Sequence, residues 1–554
     1  MFKKQISFDQ LLKHNNFVTL TNNAHYFFFI LLFFIQLNIF QDFGFPNDEE
    51  ISRNNGLIAY NYVLDIFNLH FLTPYSGLPE FENYYDKDYG VIFELLLVII
   101  EKIFSLSSYK EIYLTRHFFI SLFFFIGSIY FYLTLRKFFS KEVSLLGTII
   151  FVIHPRIFAQ SFYNSKDIIF LVFFCISNYY FINFFIKQNI RNIFFLSLFI
   201  AITISMRPMG ILLPILFIFF FTLTNLDRYK LKNFSLIVVF VFLTFFFTFL
   251  FWPYLWDNPA NLINSLKSMS KFRFIGEVFF NGEYYIAKYM PWYYIPVNIL
   301  ITTPLFVIVL FLIGSIVISK KLLLKLISLE NDKENIWSNN LELFLFYSLM
   351  IIFLTIILII ELSATVYTGW RQVYYIYPSI IFISVFGIKV LIEKINFKKF
   401  INFLLIIFIC FNLIWIIKNH PYQYTYFNSL IHKNILRNFE LDYYGVSNLD
   451  TLKKLIKINN QNVSKIYVFS VTPYHLSLNL LNDNERKKIL FTNNKNEADY
   501  LVTNHFYQKH YFNDKNLFKK IHPIDIEEFL KDNYELVNDI KANGVSINSI
   551  YKIK

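Results

Sequence analysis

The chain has 554 residues, 56% of them hydrophobic and only 16% charged, where soluble domains run near a quarter charged. That balance excludes a string of ordinary soluble domains. The net charge of +12 points to nucleic acid only if the basic residues form one patch on a soluble face. Here many of them sit in short segments between apolar runs, which is the pattern of topology signals. Phe (72 residues) and Tyr (38) are abundant together with Ile, Asn and Lys, so aromatic density reads as compositional bias rather than as a sugar or base platform. Cys175 and Cys410 both fall inside apolar runs, and no disulfide framework is expected.

A leader carrying Lys3, Lys4 and Lys13 precedes the first apolar run, which ends in bulky residues without a small-residue cleavage site, so no cleavable signal peptide is expected. A bilayer core of roughly 30 Å takes about 20 apolar residues as a helix, because every backbone polar group must be satisfied internally. Eleven runs meet that description, near 25–41, 115–135, 142–160, 166–186, 191–207, 209–226, 233–254, 296–318, 342–362, 372–392 and 399–417. The segments RKFFSK (136–141), KQNIR (187–191), DRYKLK (227–232), SKKLLLK (319–325) and EKINFKK (393–399) then share a side with the leader, and their basic excess assigns that side to the cytoplasm. An odd number of spans places the C-terminal segment outside. The expected fold is therefore an α-helical polytopic membrane unit, residues 1–417, followed by an extracytoplasmic unit, residues 418–554.

On the outer side, residues 42–114 begin with FPNDEEISRNN (45–55) and end in YGVIFELLLVIIEKIF, which reads as a helix lying on or partly in the membrane. Residues 255–295 form a second outer piece. In the last piece LDTLKKLIKI reads as a helix, and SKIYVFSV and ADYLVTNHF as buried strands, so a small α/β domain is expected. No internal repeat is evident, which leaves an inverted-repeat transporter without direct support.

Ionisable residues deep in a span are costly and mark function by default. His154 and Arg156 lie in HPRIFAQSFYNSKD (154–167), which ends in Lys166 and Asp167; Arg207 lies in MRPMG (206–210), and Arg371 in WRQVYYIYP (370–378). If the topology holds, four cations approach one outer level, where lipid phosphates are found. Snorkelling to headgroups accounts for any one of them alone, but the positive-inside pattern disfavours the whole set on that side. Lys166 and Asp167 also read as a local neutral pair. His154 beside Pro155 reads as structural, since no second His or acid stands at ligand spacing. No P-loop, HExxH, nucleotide-binding glycine motif or nucleophile elbow is present.

Taken together, the Asp48–Glu49 pair after the first span, HPRIFAQSFYNSKD, MRPMG, WRQVYYIYP, HPYQYTYFN (420–428) and FELDYYGVS (439–447) resemble the bacterial membrane glycosyltransferases of the GT-C superfamily. Within it the chain is similar to the families related to protein O-mannosyltransferases and to the aminoarabinose transferase of lipid A. The resemblance implies a sugar donor on a polyprenyl phosphate, and inverting transfer to a hydroxyl of a lipid, glycan or protein at the outer face of the cell membrane. It implies Asp48 as general base and Lys166, Arg207 and Arg371 on the donor phosphate, with Arg156 as a further candidate there. Glu49 stands as a helper of the base, a residue of the acceptor site, or a solvated side chain, and Glu50 as loop. Asp86 and Asp88 in YYDKDYG, Asp167 and Tyr374 are candidates for the same pocket. No cofactor is required by this chemistry, and a divalent metal is left open. The alternatives are a lipid-linked glycan transporter or flippase, and an outer-face glycan polymerase or ligase.

Overall fold

The computed structural model describes residues 23–69, 71–225, 231–328, 337–394, 398–459, 463–507 and 522–553. The basic leader lies outside these residues, as do parts of the expected basic loops at 227–232 and 393–399.

The apolar runs are helical. Among the described residues, seven helices are long and apolar enough to cross a membrane: Tyr109–Leu135, Asp167–Ile186, Phe234–Phe251, Leu305–Lys325, Asn340–Glu361, Arg371–Glu393 and Lys399–Lys418. Ala24–Ile39, Ile190–Met206 and Pro208–Thr224 are shorter apolar helices. The run expected at 142–160 is broken into Lys141–Val152 and Pro155–Gln160. Proline disfavours the α region for the residue before it; His154 is extended, and its ring accepts the Ile157 N–H at 3.3 Å, capping the second piece. One expected loop is not a loop. SKKLLLK continues the helix Leu305–Ser328, because Leu and Lys are good helix formers and Lys325 reaches Glu342 of the next helix at 3.1 Å.

The helices fall into two kinds by burial. Asp167–Ile186 and Tyr377–Lys394 are enclosed, with Ile168 to Val172 and Ile380 to Ile383 buried. Phe234–Phe251 and Lys398–Lys418 instead show Phe242, Phe246, Phe403 and Phe411 to the outside. Apolar side chains on every face of a helix mark a bilayer as its solvent.

We label the helices that frame the site α1 (Asn47–Ile66), α2 (Ile92–Ile103), α3 (Tyr109–Leu135), α4 (Pro155–Gln160), α5 (Asp167–Ile186) and α6 (Ile190–Met206). The expected interfacial helix is α2; it buries Phe93, Leu97 and Val98 and exposes Leu96, Ile99 and Ile103. After the last long helix comes a five-stranded sheet with strand order β4-β3-β5-β7-β6. It comprises β3 (Ser464–Val468), β4 (Ile489–Phe491), β5 (Tyr500–Thr503), β6 (Glu535–Ala542) and β7 (Val545–Lys552), while β1 (Glu277–Phe280) and β2 (Glu283–Ile286) form a separate hairpin. β3 runs parallel to β4 and β5, and β7 is antiparallel to β5 and β6. The expected helix α7 (Asn448–Ile458) buries Leu449, Leu452, Leu455 and Ile456, the spacing of one helical face. The chain is thus a helical, polytopic membrane fold with a small C-terminal sheet domain.

Candidate active site

The acidic stretch is the first turn of α1. Pro46, extended, precedes the helix, and Asp48, Glu49 and Glu50 fill its N-terminal turn, where the helix dipole favours negative charge. Successive helical residues point about 100° apart, so the three carboxylates separate. Asp48 accepts from Arg371 Nη1 at 2.6 Å and its side chain is 46% exposed. Glu49 is buried and meets His117 Nε2 at 3.1 Å. It faces away from Asp48's partner, toward α3.

The cations come from separate helix ends, and Arg371 is the one seen bonded to Asp48. Arg207 is extended because Pro208 follows it, which ends α6 at Met206 and frees the side chain from the helix. Arg371 opens a short 3-10 turn, Arg371–Ile376. Lys166 sits at the N-terminal cap of α5. Asp167 joins them: it is fully buried, pairs with Arg207, and lies 3.5 Å from Arg371 Nη1. Asp167 is therefore the bridge between two arginines rather than the local partner of Lys166. The Lys166 ammonium stands 4.3 Å from the Tyr89 ring centroid, and the carboxylates whose charges act on it are Asp48, Asp86 and Glu94. Gly90 lets this segment approach, since a Cβ there would fall 1.8 Å from the Ser205 carbonyl oxygen.

Burial pushes the Asp48 carboxyl up, but the charges of Arg371 and Lys166, the Arg371 hydrogen bond and the Arg207 charge pull harder, and it ends below its usual 3.8. It is ionised at neutral pH. Arg371 is held between the Tyr367 and Tyr444 rings, 5.0 and 5.2 Å from their centroids.

Tyr444 comes from FELDYYGVS. Its hydroxyl accepts from Arg371 Nη1 at 2.9 Å and from Asn164 Nδ2 at 3.0 Å. Gln160 Nε2 donates to Tyr374 at 2.9 Å and to Tyr443 at 3.2 Å, and its Oε1 accepts from Asn164 at 2.8 Å, so Tyr374 reaches the cluster through Gln160. The Asn47 N–H donates to the Tyr444 carbonyl at 3.1 Å, and a Cβ on Gly44 would fall 2.1 Å from the Val446 carbonyl oxygen. FELDYYGVS thus lines the Asp48 cluster through Tyr444. HPYQYTYFN supports it from behind: the Tyr424 hydroxyl donates to buried Asp442.

The remaining candidates lie at the margin. Arg273 reaches Asp88 Oδ1 at 2.5 Å and stands 4.0 Å from Asp86. Burial raises the Asp86 carboxyl against the pull of Lys166 and Arg273. Arg156 is buried, donates from Nε to the Tyr426 carbonyl at 2.9 Å and stacks on Phe427. It lines a small cavity with Asn298, Gly369, Glu440 and Tyr443, apart from the Arg371–Asp167–Arg207 ion pairs. His154 is a buried helix cap. Among the described residues no group of three His, Cys, Asp or Glu converges as metal ligands would.

Sequence motifs alone do not single out Gln160 and Asn164, short polar residues inside HPRIFAQSFYNSKD, or Glu94, Glu101, Arg116 and His117. The signal for the latter four was present: two acids seven residues apart in an apolar helix, and an Arg-His pair at the start of the next span.

Residues 95–252 match the family model of dolichyl-phosphate-mannose-protein mannosyltransferases. None of the curated proteins matches the chain. Among solved structures, ArnT from Cupriavidus metallidurans bound to undecaprenyl phosphate is 9% identical, with 95% of this chain and 98% of that one covered and a TM-score of 0.45. The Archaeoglobus fulgidus oligosaccharyltransferase in its apo form is 11% identical over 87% of this chain and 70% of its own, at a TM-score of 0.43. AglB of the same organism, with an inhibitory peptide and a dolichol-phosphate, is 12% identical over 88% and 70%, at 0.44. The family match over residues 95–252 supports a membrane glycosyltransferase of the GT-C kind.

Proposed function

We propose that the protein transfers a sugar from a polyprenyl-phosphate donor to a hydroxyl of a lipid, glycan or protein, with inversion, at the extracytoplasmic face of the cell membrane. In this reading the N-terminus is cytoplasmic, residues 1–417 form the transferase unit, and residues 418–554 lie outside. The acceptor oxygen attacks the anomeric carbon as the bond from that carbon to the phosphate oxygen breaks. Asp48 takes the acceptor proton, and Arg371, Arg207 and Lys166 stabilise the charge left on the polyprenyl phosphate. A sugar phosphate already carries its leaving group, so no covalent enzyme intermediate is needed.

One observation carries this reading. A half-exposed, ionised carboxylate sits directly against a guanidinium fixed by buried partners. A positioned general base is typically worth 10²–10⁴-fold, and preorganised cations act most strongly in a partly dehydrated site. Asp167 takes part indirectly by holding both arginines at one level. Arg156 has its own buried partners and in this reading supports the wall rather than the phosphate.

The test is transfer of labelled sugar by purified protein from synthetic polyprenyl-phosphate sugars, with release of polyprenyl phosphate followed in parallel. Release in step with product supports the proposal. Failure of every donor, together with failure of undecaprenyl phosphate to bind, rejects it.

A further inference from the structure

Inverting transfer needs a base and a phosphate clamp at a fixed spacing, yet the two come from different parts of the chain. Asp48 stands on α1, while Lys166 and Asp167 stand at the start of α5. A second, largely buried set of side chains links these segments from behind.

Arg53, on α1 five residues after Asp48, donates from Nε and Nη2 to the Glu101 carboxylate of α2 at 2.9 to 3.2 Å. Glu101 Oε1 is 3.6 Å from Arg116 Nη1 of α3, an ion-pair distance. Arg116 Nη2 donates to Glu94 Oε2 on α2, and Glu94 Oε1 accepts from the Ser165 hydroxyl. Ser165 is the residue before Lys166. Arg116, Glu94, Glu101 and Ser165 are each at most 2% exposed. The chain holds two cations and two anions, so it is neutral as a unit. Glu94 and Glu101 are seven residues apart, two turns along one face, which lets one arginine of α3 reach both. α1 and α2 touch closely over the network, since a Cβ on Gly56 would lie 2.7 Å from the Glu94 carbonyl oxygen.

For stability alone, apolar side chains serve at least as well as buried ion pairs of this kind. What ion pairs with fixed partners add is a specified geometry. This set is anchored at one end on the helix that carries the proposed base, about one and a half turns beyond it, and at the other end on the residue before Lys166. We propose that Glu94 is a positioning residue, and that the Arg53–Glu101–Arg116–Glu94–Ser165 chain sets the spacing between the Asp48 carboxylate and the Lys166–Asp167 loop. The proposal takes its reaction from the function proposed above, but the spacing itself does not depend on that function.

The test uses full-length protein carrying Ser165→Ala, Glu94→Gln, Glu94→Leu, Arg53→Gln, or Arg53→Gln with Ser165→Ala. Three readouts are taken: transfer kinetics, binding of undecaprenyl phosphate alone, and thermal unfolding. A misplacement near 1 Å costs on the order of 10²-fold in rate. Ser165→Ala should therefore lower kcat about 10- to 100-fold, with donor KM within about threefold and unfolding little changed. Glu94→Gln, which can still bond both neighbours, should retain more kcat than Glu94→Leu. The double variant should lose less than the product of its singles, because residues in one network couple. A wild-type kcat in folded Ser165→Ala and Glu94→Leu protein overturns the proposal and leaves the network a support of the fold. If the wild type transfers no sugar, the proposed function fails separately. A distance measured between spin labels at the start of α1 and at the Lys166 loop then decides: a shift in folded Glu94→Leu protein supports the spacing device, and an unchanged distance overturns it.

Discussion

Replacing Asp48 by Asn keeps the size of the side chain and an oxygen that can still accept from Arg371 Nη1, now 2.6 Å away. What is lost is the negative charge and the capacity to take a proton. Loss of the base alone predicts a kcat about 10²- to 10⁴-fold lower. Donor binding should move the other way, because Arg371, Arg207 and Lys166 would keep their charges with one carboxylate fewer to neutralise them. A unit charge about 6 Å from a phosphate is worth on the order of 3 kcal/mol at an effective dielectric of roughly 20. Asp48 is 46% exposed, so water screens most of that, and undecaprenyl phosphate should bind equally well or up to about tenfold tighter. Sugar transfer and lipid-phosphate binding, measured on the same preparation, separate the two effects. A kcat loss below about tenfold would refute Asp48 as the base. Parallel loss of binding and turnover would instead make Asp48 a structural partner of Arg371.

Four further outcomes follow from the geometry. Arg207→Ala and Arg371→Ala should each weaken undecaprenyl phosphate binding about 10- to 100-fold, since a hydrogen bond to a charged group is worth about 1.5–3 kcal/mol; unchanged binding in both would remove the phosphate site from this cluster. Tyr444→Phe deletes the hydroxyl that receives Arg371 and Asn164, and kcat/KM should fall about tenfold with little change in unfolding. Burial pushes the Glu440 carboxyl up to about 8, against the Phe279 amide and the charges of Arg371 and Arg156. The unfolded chain therefore gives up this proton between about 4.5 and 8 while the folded chain keeps it, so stability should decline with rising pH across that window and level off above it. Glu440→Gln should remove that decline in pH-dependent thermal unfolding. Gly44→Ala should lower the unfolding temperature, because its Cβ would meet the Val446 carbonyl oxygen at 2.1 Å.

Hydropathy located most of the helical runs, because twenty apolar residues in a row leave the backbone little choice, but the runs expected at 142–160 and 296–318 are each interrupted at a proline. It misjudged SKKLLLK, where helix propensity carries the chain beyond its apolar stretch. Asp48, Lys166, Arg207 and Arg371 were legible as charges beside apolar runs, whereas the break at Pro155 fell inside a run read as continuous. The mutual arrangement of those charges was not legible, since Arg371 lies 323 residues from Asp48 along the chain. Asp167 shows the limit most clearly: adjacency suggested Lys166 as its partner, while the fold turns it toward two arginines. Glu49 was open among three roles, and only the α1 helix phase separates it from Asp48 and turns it to His117.

The contact between Asn47 and the Tyr443–Tyr444 segment spans 396 residues of sequence. A ribosome adding about 5–20 residues per second covers that distance in roughly 20–80 s. Through that interval the acidic first turn of α1 already exists, but the tyrosine that will hold Arg371 against it does not. A half-made chain in the membrane therefore has its carboxylate without its finished wall. The cluster around Asp48 is therefore complete only once the last quarter of the polypeptide has folded back onto the first.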